Sequence, residues 1–247
     1  MRFLCLPGAY GSAKNFEVQL APFCKELSSD GKVEFFFTQG ENPCQPPAGF
    51  LEYFGPAPHY RFIEYDGIDQ NDVLERVRDF PESQSPEDVL RELLPEGDTK
   101  IRESVRAALT AIYATMEEHG PFDGICAYSE GTVAGSTLIV DERRRLRDEG
   151  RPRMIKRAVF FAGWPPLDLE NDGMLVADLS GEVVDVPTLH CIGADDPYLQ
   201  GAMALFYVCE QDEAILFDHG KGHTIPRDAQ TLKELGEVVR RMGEASF

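Results

Sequence analysis

Long apolar stretches and basic residues are both scarce in this 247-residue sequence. No run approaches the roughly 20 apolar residues that a membrane helix needs, so we expect no membrane span and no membrane partner. The chain opens with Arg2 and an apolar run, residues 3–6, followed at once by Pro7 and Gly8, which is typical of a first strand and not of a signal peptide. The 24 Lys and Arg against 43 Asp and Glu give a net charge of −19, which repels a phosphate backbone and disfavours nucleic-acid binding.

Metal-binding cysteine patterns are missing as well. The six cysteines, at positions 5, 24, 44, 126, 191 and 209, form no C-x-x-C pair, and none lies at zinc-ligand spacing from a histidine. We therefore expect no metal site. Three of them lie in apolar, strand-like runs typical of buried, reduced thiols, which predicts an intracellular, cytoplasmic protein.

The order of apolar and amphipathic segments predicts an α/β protein. Short apolar runs alternate with stretches whose apolar residues recur at helical spacing. This alternation predicts a mostly parallel central sheet with helices on both faces. No internal repeat or linker is present, so residues 1–247 are expected to form a single domain. The predicted strands are 2–6, 32–38, 122–128, 157–163, 186–194 and 213–218, and the predicted helices are 13–27, 101–116, 132–140, 198–209 and 232–242.

A proline-rich insertion at about 40–99 interrupts this alternation. A loop-rich segment of this length in a compact domain is usually functional or mobile. Two interpretations stay open: a packed surface excursion, and a pocket wall or lid. The second is favoured because the aromatic side chains need apolar partners, and a second irregular segment, 164–185, could close the other side. The insertion carries an aromatic cluster: Phe50, Tyr53, Phe54, Tyr60, Phe62 and Tyr65.

A candidate nucleophile lies in the stretch ICAYSEG, at 125–131. Ser129 follows an apolar strand and precedes a helix, and its motif is G-x-S-x-G with Ala127 in place of the first glycine. The sharp strand-to-helix turn of a hydrolase exposes its serine and crowds the residues two before and two after it. Ala127 and Gly131 are both small, so the motif is weakened but not broken. By itself, a degenerate motif of this kind is often only an ordinary turn.

The candidate acid follows a later strand, in the stretch GADDP. A carboxylate just beyond a strand end can hold a histidine in the tautomer that accepts the serine proton. We favour Asp196, with Asp195 as the alternative and Asp168 as a more distant one. An aspartate here could also serve only as a helix N-cap before Tyr198.

The candidate base must follow the acid, because the expected chain order is Ser, then Asp or Glu, then His. Only His219 and His223 do so, both in the glycine-bearing stretch DHGKGH after the last predicted strand. We expect His223 to be the base and His219 to be structural. His190 lies within a predicted strand and is interpreted as a core histidine.

The glycine turn LPGAYGS after the first strand is a candidate oxyanion hole. Backbone N–H groups of such a turn, together with the N–H of the residue after the nucleophile, can bind a developing oxyanion. This predicts donors at Ala9 or Tyr10 and at Glu130. The alternative is an ordinary glycine turn.

These segments together resemble the fungal serine hydrolase (FSH) family, which includes the OVCA2-type hydrolases and the thioesterases of fungal polyketide gene clusters. The resemblance covers most of the chain and is carried by FLCLPGAYGSAKNF, ICAYSEGTVAG, FFAGWPP, VPTLHCIGADDPY and HGKGHTIPR. It implies an α/β-hydrolase fold, no cofactor, and esterase or thioesterase activity with Ser129 as nucleophile, Asp196 as acid and His223 as base. The chain departs from the family pattern at Pro7, where a histidine is usual, and at Ala127.

The expected reaction is cleavage of an acyl ester or thioester through an acyl-enzyme. The resemblance favours release of a polyketide or fatty-acyl chain from an acyl carrier protein in secondary metabolism. The alternatives are a carboxylesterase acting on small free esters and an inactive ligand-binding relative. The basic stretch 142–157 is a candidate docking patch for a carrier protein, or simply a solvated helix and loop. Expected substrate-binding residues are Tyr128, Phe54, Tyr60 and Trp164.

Overall fold

The computed structural model describes residues 1–47, 51–64, 85–93, 99–171 and 173–244. The strands are β1 (Arg2–Leu6), β2 (Glu34–Phe37), β3 (Asn42–Cys44), β4 (His59–Arg61), β5 (Gly124–Tyr128), β6 (Ala158–Phe161), β7 (Thr188–Ile192) and β8 (Ala214–Asp218). The helices are α1 (Ala13–Leu27), α2 (Leu51–Phe54), α3 (Pro86–Leu93), α4 (Thr99–His119), α5 (Glu130–Glu149), α6 (Ala177–Ser180), α7 (Leu199–Tyr207) and α8 (Ala229–Glu244). Within these ranges, no helix combines the length and apolarity that crossing a bilayer requires.

A six-stranded sheet forms the centre of the fold, in the order β2-β1-β5-β6-β7-β8. All five pairings are parallel. Every residue of β5, β6 and β7 is buried, as is typical of parallel strands covered on both sides. The prediction of a mostly parallel sheet is confirmed. Because the strands are parallel, their carboxyl ends share one edge of the sheet, where the loops after β1, β5, β7 and β8 meet.

Alternate strand residues supply two separate hydrophobic cores, since successive side chains point to opposite faces of a sheet. On one face, Leu6 and Ala127 pack with residues of α4 and α5 such as Leu109. On the other, Cys126 packs with residues of α1 and α8 such as Leu20. Burying a side chain such as leucine contributes about 1.5–3 kcal/mol relative to leaving it exposed, so these two cores hold the helices against the sheet.

Helix α5 is longer than the sequence pattern predicts. The apolar periodicity ends near residue 140, but the helix continues to Glu149 and ends at Gly150, which has φ of 69°. Its arginine-rich half is stabilised by pairs one turn apart: Arg144 and Arg145 both contact the buried Asp141, at 2.8 and 2.6 Å. Charge pairing of this kind carries no hydrophobic signal, which is why the pattern missed it.

The described part of the insertion contains ordered elements where the sequence predicts a loop-rich segment. β3 and β4 form a separate antiparallel pair, in which Cys44 lies opposite His59. The Tyr60 N–H donates to the carbonyl of Gly11 at 3.2 Å, so this hairpin rests on the turn that follows β1. Of the predicted aromatic cluster, Phe50 and Tyr65 lie outside the described residues. That the chain is a single domain stays a prediction.

Candidate active site

Ser129 occupies a sharp turn between β5 and α5. Its φ of 51° and ψ of −121° are unusual for a residue with a side chain and cost on the order of 1–3 kcal/mol. The turn is fixed by two contacts: the Ser129 N–H donates to the carbonyl of Phe161 at 3.0 Å, and the Thr132 hydroxyl donates to the carbonyl of Ser129 at 2.6 Å. A strained serine held in this way projects its hydroxyl from the sheet edge.

Crowding around this turn explains which small residues it needs. A Cβ at Gly131 would overlap the carbonyl oxygens of Leu6 and Pro7, so only glycine fits there. Ala127, by contrast, is fully buried in the core, where even a Cβ added at Gly135 would lie 3.7 Å from its methyl group, an ordinary van der Waals contact. The core therefore has room for the alanine two residues before the serine. There is no room for a side chain two residues after it, at Gly131.

Three side chains form a continuous hydrogen-bonded chain at the carboxyl edge of the sheet. His223 Nε2 lies 3.1 Å from the Oγ of Ser129, and His223 Nδ1 lies 2.8 Å from the Oδ2 of Asp196. The Asp196 side chain is only 1% exposed and the His223 side chain 19%. The second carboxylate oxygen of Asp196 accepts from the Tyr198 N–H at 2.8 Å. A histidine donating from Nδ1 to this carboxylate leaves Nε2 to accept the serine proton.

The alternative acids lie elsewhere. Asp195 is exposed, and its N–H contacts the carbonyl of Lys221. The carboxylate of Asp168 accepts from the N–H groups of Glu170 and Asn171, at 2.8 and 3.1 Å, which makes it the start of a local turn. Of the three aspartates considered, the structure brings only Asp196 to His223.

The remaining late histidines have other surroundings. His190 is buried in β7 beside the Thr188 hydroxyl, 2.9 Å from its Nε2. Burial lowers the His190 pKa to about 3, so its ring is uncharged at neutral pH. His219 donates its N–H to the carbonyl of Ile192, and burial also lowers its pKa. Both positions suit packing within the fold.

The loop that carries His223 is held by contacts that sequence reasoning missed. The hydroxyls of Tyr53 and Tyr128 both donate to the carbonyl of His223, at 2.9 and 3.1 Å. Burial raises the Tyr128 pKa, which keeps this donor protonated. The Tyr198 ring packs edge-on against the imidazole, with centroids 5.0 Å apart. The sequence predicts Tyr53 only as a member of the aromatic cluster, because no local pattern shows that α2 reaches the loop after β8.

The glycine turn after β1 lies against the nucleophile. A Cβ at Gly8 would be 3.0 Å from the Cβ of Ser129, and the Gly11 N–H closes a tight turn onto the carbonyl of Gly8 at 3.0 Å. Tyr10 takes φ of 62° in this turn. A positive φ at the third residue, with the hydrogen bond from the fourth residue to the first, is the pattern of a type II turn.

The three candidate oxyanion donors differ in their surroundings. The N–H groups of Ala9 and Glu130 have no hydrogen-bond acceptor among the described residues. The Tyr10 N–H is directed at Cys44 instead. Burial raises the pKa of the Cys44 thiol to about 11, and the charge of Arg61 and the Tyr10 N–H act against this rise. The geometry therefore favours Ala9 over Tyr10 as the partner of Glu130.

The expected substrate-binding residues surround this site in different ways. Tyr128 is buried and its hydroxyl is engaged with the His223 loop. The Phe54 ring contacts the Tyr10 ring, with centroids 5.0 Å apart. Tyr60 lies on the hairpin beside the glycine turn, and the Trp164 N–H donates to Thr132 at 2.7 Å, directly behind the nucleophile turn. Within the described ranges, no group of three or more His, Cys, Asp or Glu side chains is placed to hold a metal ion.

The amino-acid sequence matches a known protein family. The family model described as serine hydrolase (FSH1) matches residues 1–235. The chain belongs to this serine hydrolase family. One similar protein is the esterase FPY3 of Fusarium mangiferae, 27% identical over 98% of this chain and 96% of its own length.

Solved structures show the same fold at lower sequence identity. The hydrolase superimposes on a carboxylesterase from Mesorhizobium loti with a TM-score of 0.56, at 17% identity over 97% of this chain and 88% of that chain. It superimposes on acyl-protein thioesterase 2 of Zea mays with a TM-score of 0.54, at 13% identity over 98% and 93% of the two chains. The α/β-hydrolase fold and the membership in a serine hydrolase family, both expected from the sequence, are confirmed.

Proposed function

We propose that this serine hydrolase cleaves an acyl ester or thioester through a covalent acyl-enzyme, with Ser129, His223 and Asp196 as its triad. The observation that carries the proposal is the hydrogen-bonded chain from Ser129 Oγ through both ring nitrogens of His223 to Asp196. The similarity to a protein named as an esterase supports an ester-type substrate.

The reaction follows from this arrangement. His223 Nε2 takes the Ser129 proton while Oγ attacks the acyl carbon, and Asp196 stabilises the imidazolium that forms. The N–H groups of Ala9 and Glu130 bind the oxyanion of the tetrahedral intermediate. His223 then gives its proton to the leaving alcohol or thiol, which departs. Water repeats the sequence on the acyl-enzyme, releasing the acid and restoring Ser129.

A fluorophosphonate probe tests the nucleophile. We expect the wild type to be labelled and Ser129→Ala not to be, with ester turnover lost by on the order of 10⁴-fold or more in the variant. Absence of wild-type labelling, or equal labelling of the variant, would contradict the proposal and favour an inactive ligand-binding protein.

A matched pair of variants tests the acid. Asp196→Ala removes the partner of His223 Nδ1 and should lower kcat by about 10⁴-fold, because the imidazole loses its orientation and its counter-charge. Asp195→Ala removes an adjacent but exposed carboxylate and should leave kcat near that of the wild type. The reverse ranking would show that Asp195 is the acid.

For the substrate, we propose release of a polyketide or fatty-acyl chain from an acyl carrier protein, with a carboxylesterase acting on small free esters as the alternative. The proposal of a carrier-bound acyl chain rests on the family resemblance and on the aromatic residues of the insertion, such as Phe54. Turnover of an acyl carrier thioester should exceed that of a matched p-nitrophenyl ester in kcat/KM. A preference for the free ester would favour the alternative.

The basic stretch 142–157 gives little support for carrier docking. Its arginines are largely paired within the chain: Arg143 and Arg153 both contact Asp185, at 3.4 and 2.6 Å. A solvated helix and loop describes this surface better.

We also propose a cytoplasmic location, since all six cysteines are free thiols. Cell fractionation with an antibody to the chain tests this, and recovery with secreted material would contradict it.

A further inference from the structure

The side chain of Glu130 is buried against the insertion. Glu130 is the first residue of α5 and directly follows Ser129, yet it is only 6% exposed. Its Oε1 accepts a hydrogen bond from the Phe62 N–H at 2.6 Å. One residue thus contributes a candidate oxyanion donor through its backbone and reaches the insertion through its carboxylate.

The segment that Glu130 holds also supports the glycine turn. Phe62 directly follows β4, and in the same strand the Tyr60 N–H donates to the carbonyl of Gly11 at 3.2 Å. Opposite β4, Cys44 of β3 receives the Tyr10 N–H. The hairpin β3–β4 therefore touches both parts of the proposed oxyanion hole, the turn at Gly11 on one side and Glu130 on the other.

This contact is unfavourable as a purely structural one. The second carboxylate oxygen of Glu130 is buried without a hydrogen bond among the described residues, whereas the Nε of Arg61 lies 3.7 Å from the Glu64 carboxylate. Burial raises the Glu130 pKa to about 7, although the Phe62 N–H and the charge of Arg61 oppose the rise. A buried carboxylate oxygen without a hydrogen bond lowers stability, so this contact costs more than an ordinary packing contact. Local arrangements that break this rule often mark functional positions.

We propose that Glu130 is a positioning residue, whose carboxylate locks the β3–β4 hairpin to the nucleophile turn and so fixes the spacing between the oxyanion donors of Ala9 and Glu130. This inference rests on the proposed hydrolase mechanism. Its physical basis is that donors aimed at a developing charge act only when held in place before the reaction. A misplacement of about 1 Å can reduce turnover by about 10²-fold.

Three variants of Glu130 test the contact. Glu130→Ala removes the acceptor of the Phe62 N–H and should lower kcat by about 10²-fold with KM changed by less than about twofold, since the oxyanion forms only in the transition state. Glu130→Gln keeps an oxygen at the same reach and should restore kcat to within about threefold of the wild type. Glu130→Asp keeps the charge but withdraws the oxygen, and should behave like the alanine variant; it replaces alanine if that variant does not fold.

Glu142 provides a matched control on the same helix. Its buried carboxylate accepts from the N–H groups of Met154 and Ile155, at 3.3 and 3.0 Å. Twelve positions along α5 place it about 18 Å from Glu130. Glu142→Ala should lower the melting temperature but leave kcat per folded molecule near that of the wild type.

The outcomes separate this inference from the mechanism on which it rests. If kcat of Glu130→Ala per folded molecule matches that of Glu142→Ala, or if Glu130→Gln fails to restore kcat, the positioning role is wrong. The fluorophosphonate probe reports the mechanism independently. If the wild type is labelled and Glu130→Ala is labelled at the same rate, the positioning role alone is wrong. If the wild type is not labelled, the proposed mechanism is wrong.

Discussion

Replacing Glu130 by glutamine should change how the stability of the protein depends on pH. The carboxyl is fully enclosed, and burial raises its pKa to about 7 from its usual value of 4.5. Between these two values the folded protein holds a proton that the unfolded chain has released. Protonation therefore favours folding: this contribution is complete below the unfolded pKa and is lost as pH rises through about 7. Glutamine carries no charge at any pH and shows no such loss.

The size of the effect follows from the two pKa values. A tenfold change in proton affinity corresponds to about 1.4 kcal/mol, so a folded pKa near 7 against 4.5 gives a total of about 3 kcal/mol. Most of it falls between about pH 5 and pH 8. We expect Glu130→Gln to be close to the wild type in unfolding free energy at about pH 5 and more stable by about 2–3 kcal/mol at about pH 8.

Urea-induced unfolding across this pH range measures the difference directly. Comparing variant with wild type at each pH cancels every other titrating group that the substitution does not touch. Glu118→Gln removes the same charge from an exposed side chain and reports how much of the change comes from net charge alone. A difference between wild type and Glu130→Gln that stays constant with pH, or that grows toward acid, would refute the reasoning.

Further expectations concern the base, the turn and the core. Tyr53→Phe and Tyr128→Phe each remove a donor to the carbonyl of His223 and should lower kcat by about 3–10-fold. The loss in the double variant should be less than the sum of the two single losses, and additive losses in steady-state assays would contradict a shared role. Gly131→Ala should abolish activity and lower the melting temperature, because its methyl overlaps two carbonyl oxygens. Gly222→Ala should retain both, since its nearest neighbour is 3.6 Å away; equal losses in the two variants would contradict the crowding argument. Since burial lowers the His190 pKa to about 3, its stabilisation is present above the usual 6.5 and lost as pH falls towards 3. Urea unfolding should then show His190→Gln losing less stability than the wild type over that range, and parallel pH curves would refute this.

The elements that local signals specify were predicted closely. β1 and α1 begin and end at the predicted residues. The strand is an apolar run between Arg2 and the turn at Pro7, and the helix is N-capped by Ser12, whose hydroxyl accepts from the Asn15 N–H at 3.2 Å. The sequence also predicted that Ser129, Asp196 and His223 lie together. Each of them follows a predicted strand, and the carboxyl ends of parallel strands meet at one edge of the sheet.

What local signals could not resolve depends on contacts between distant segments. Asp195 and Asp196 are adjacent and chemically equal, and only the path of the loop after β7 decides which reaches the histidine. That path depends on Gly193, where a Cβ would overlap the carbonyl oxygen of Lys221 in the histidine loop. The roles of Tyr53 and of the β3–β4 hairpin were hidden for the same reason.

The sequence by itself determined the alternation of strands and helices, the serine turn with its required glycine, and the chemical types available at the sheet edge, because each is specified by residues close together in the chain. The tertiary structure alone decided that the Glu130 carboxylate is buried against Phe62, that two tyrosines hold the carbonyl of His223, and that the hairpin supports the glycine turn. The first two kinds of contact join residues that are separated by 68, 95 and 170 positions in the sequence, and the third joins two separate elements. The energies of these contacts depend on burial, which exists only once the chain has folded.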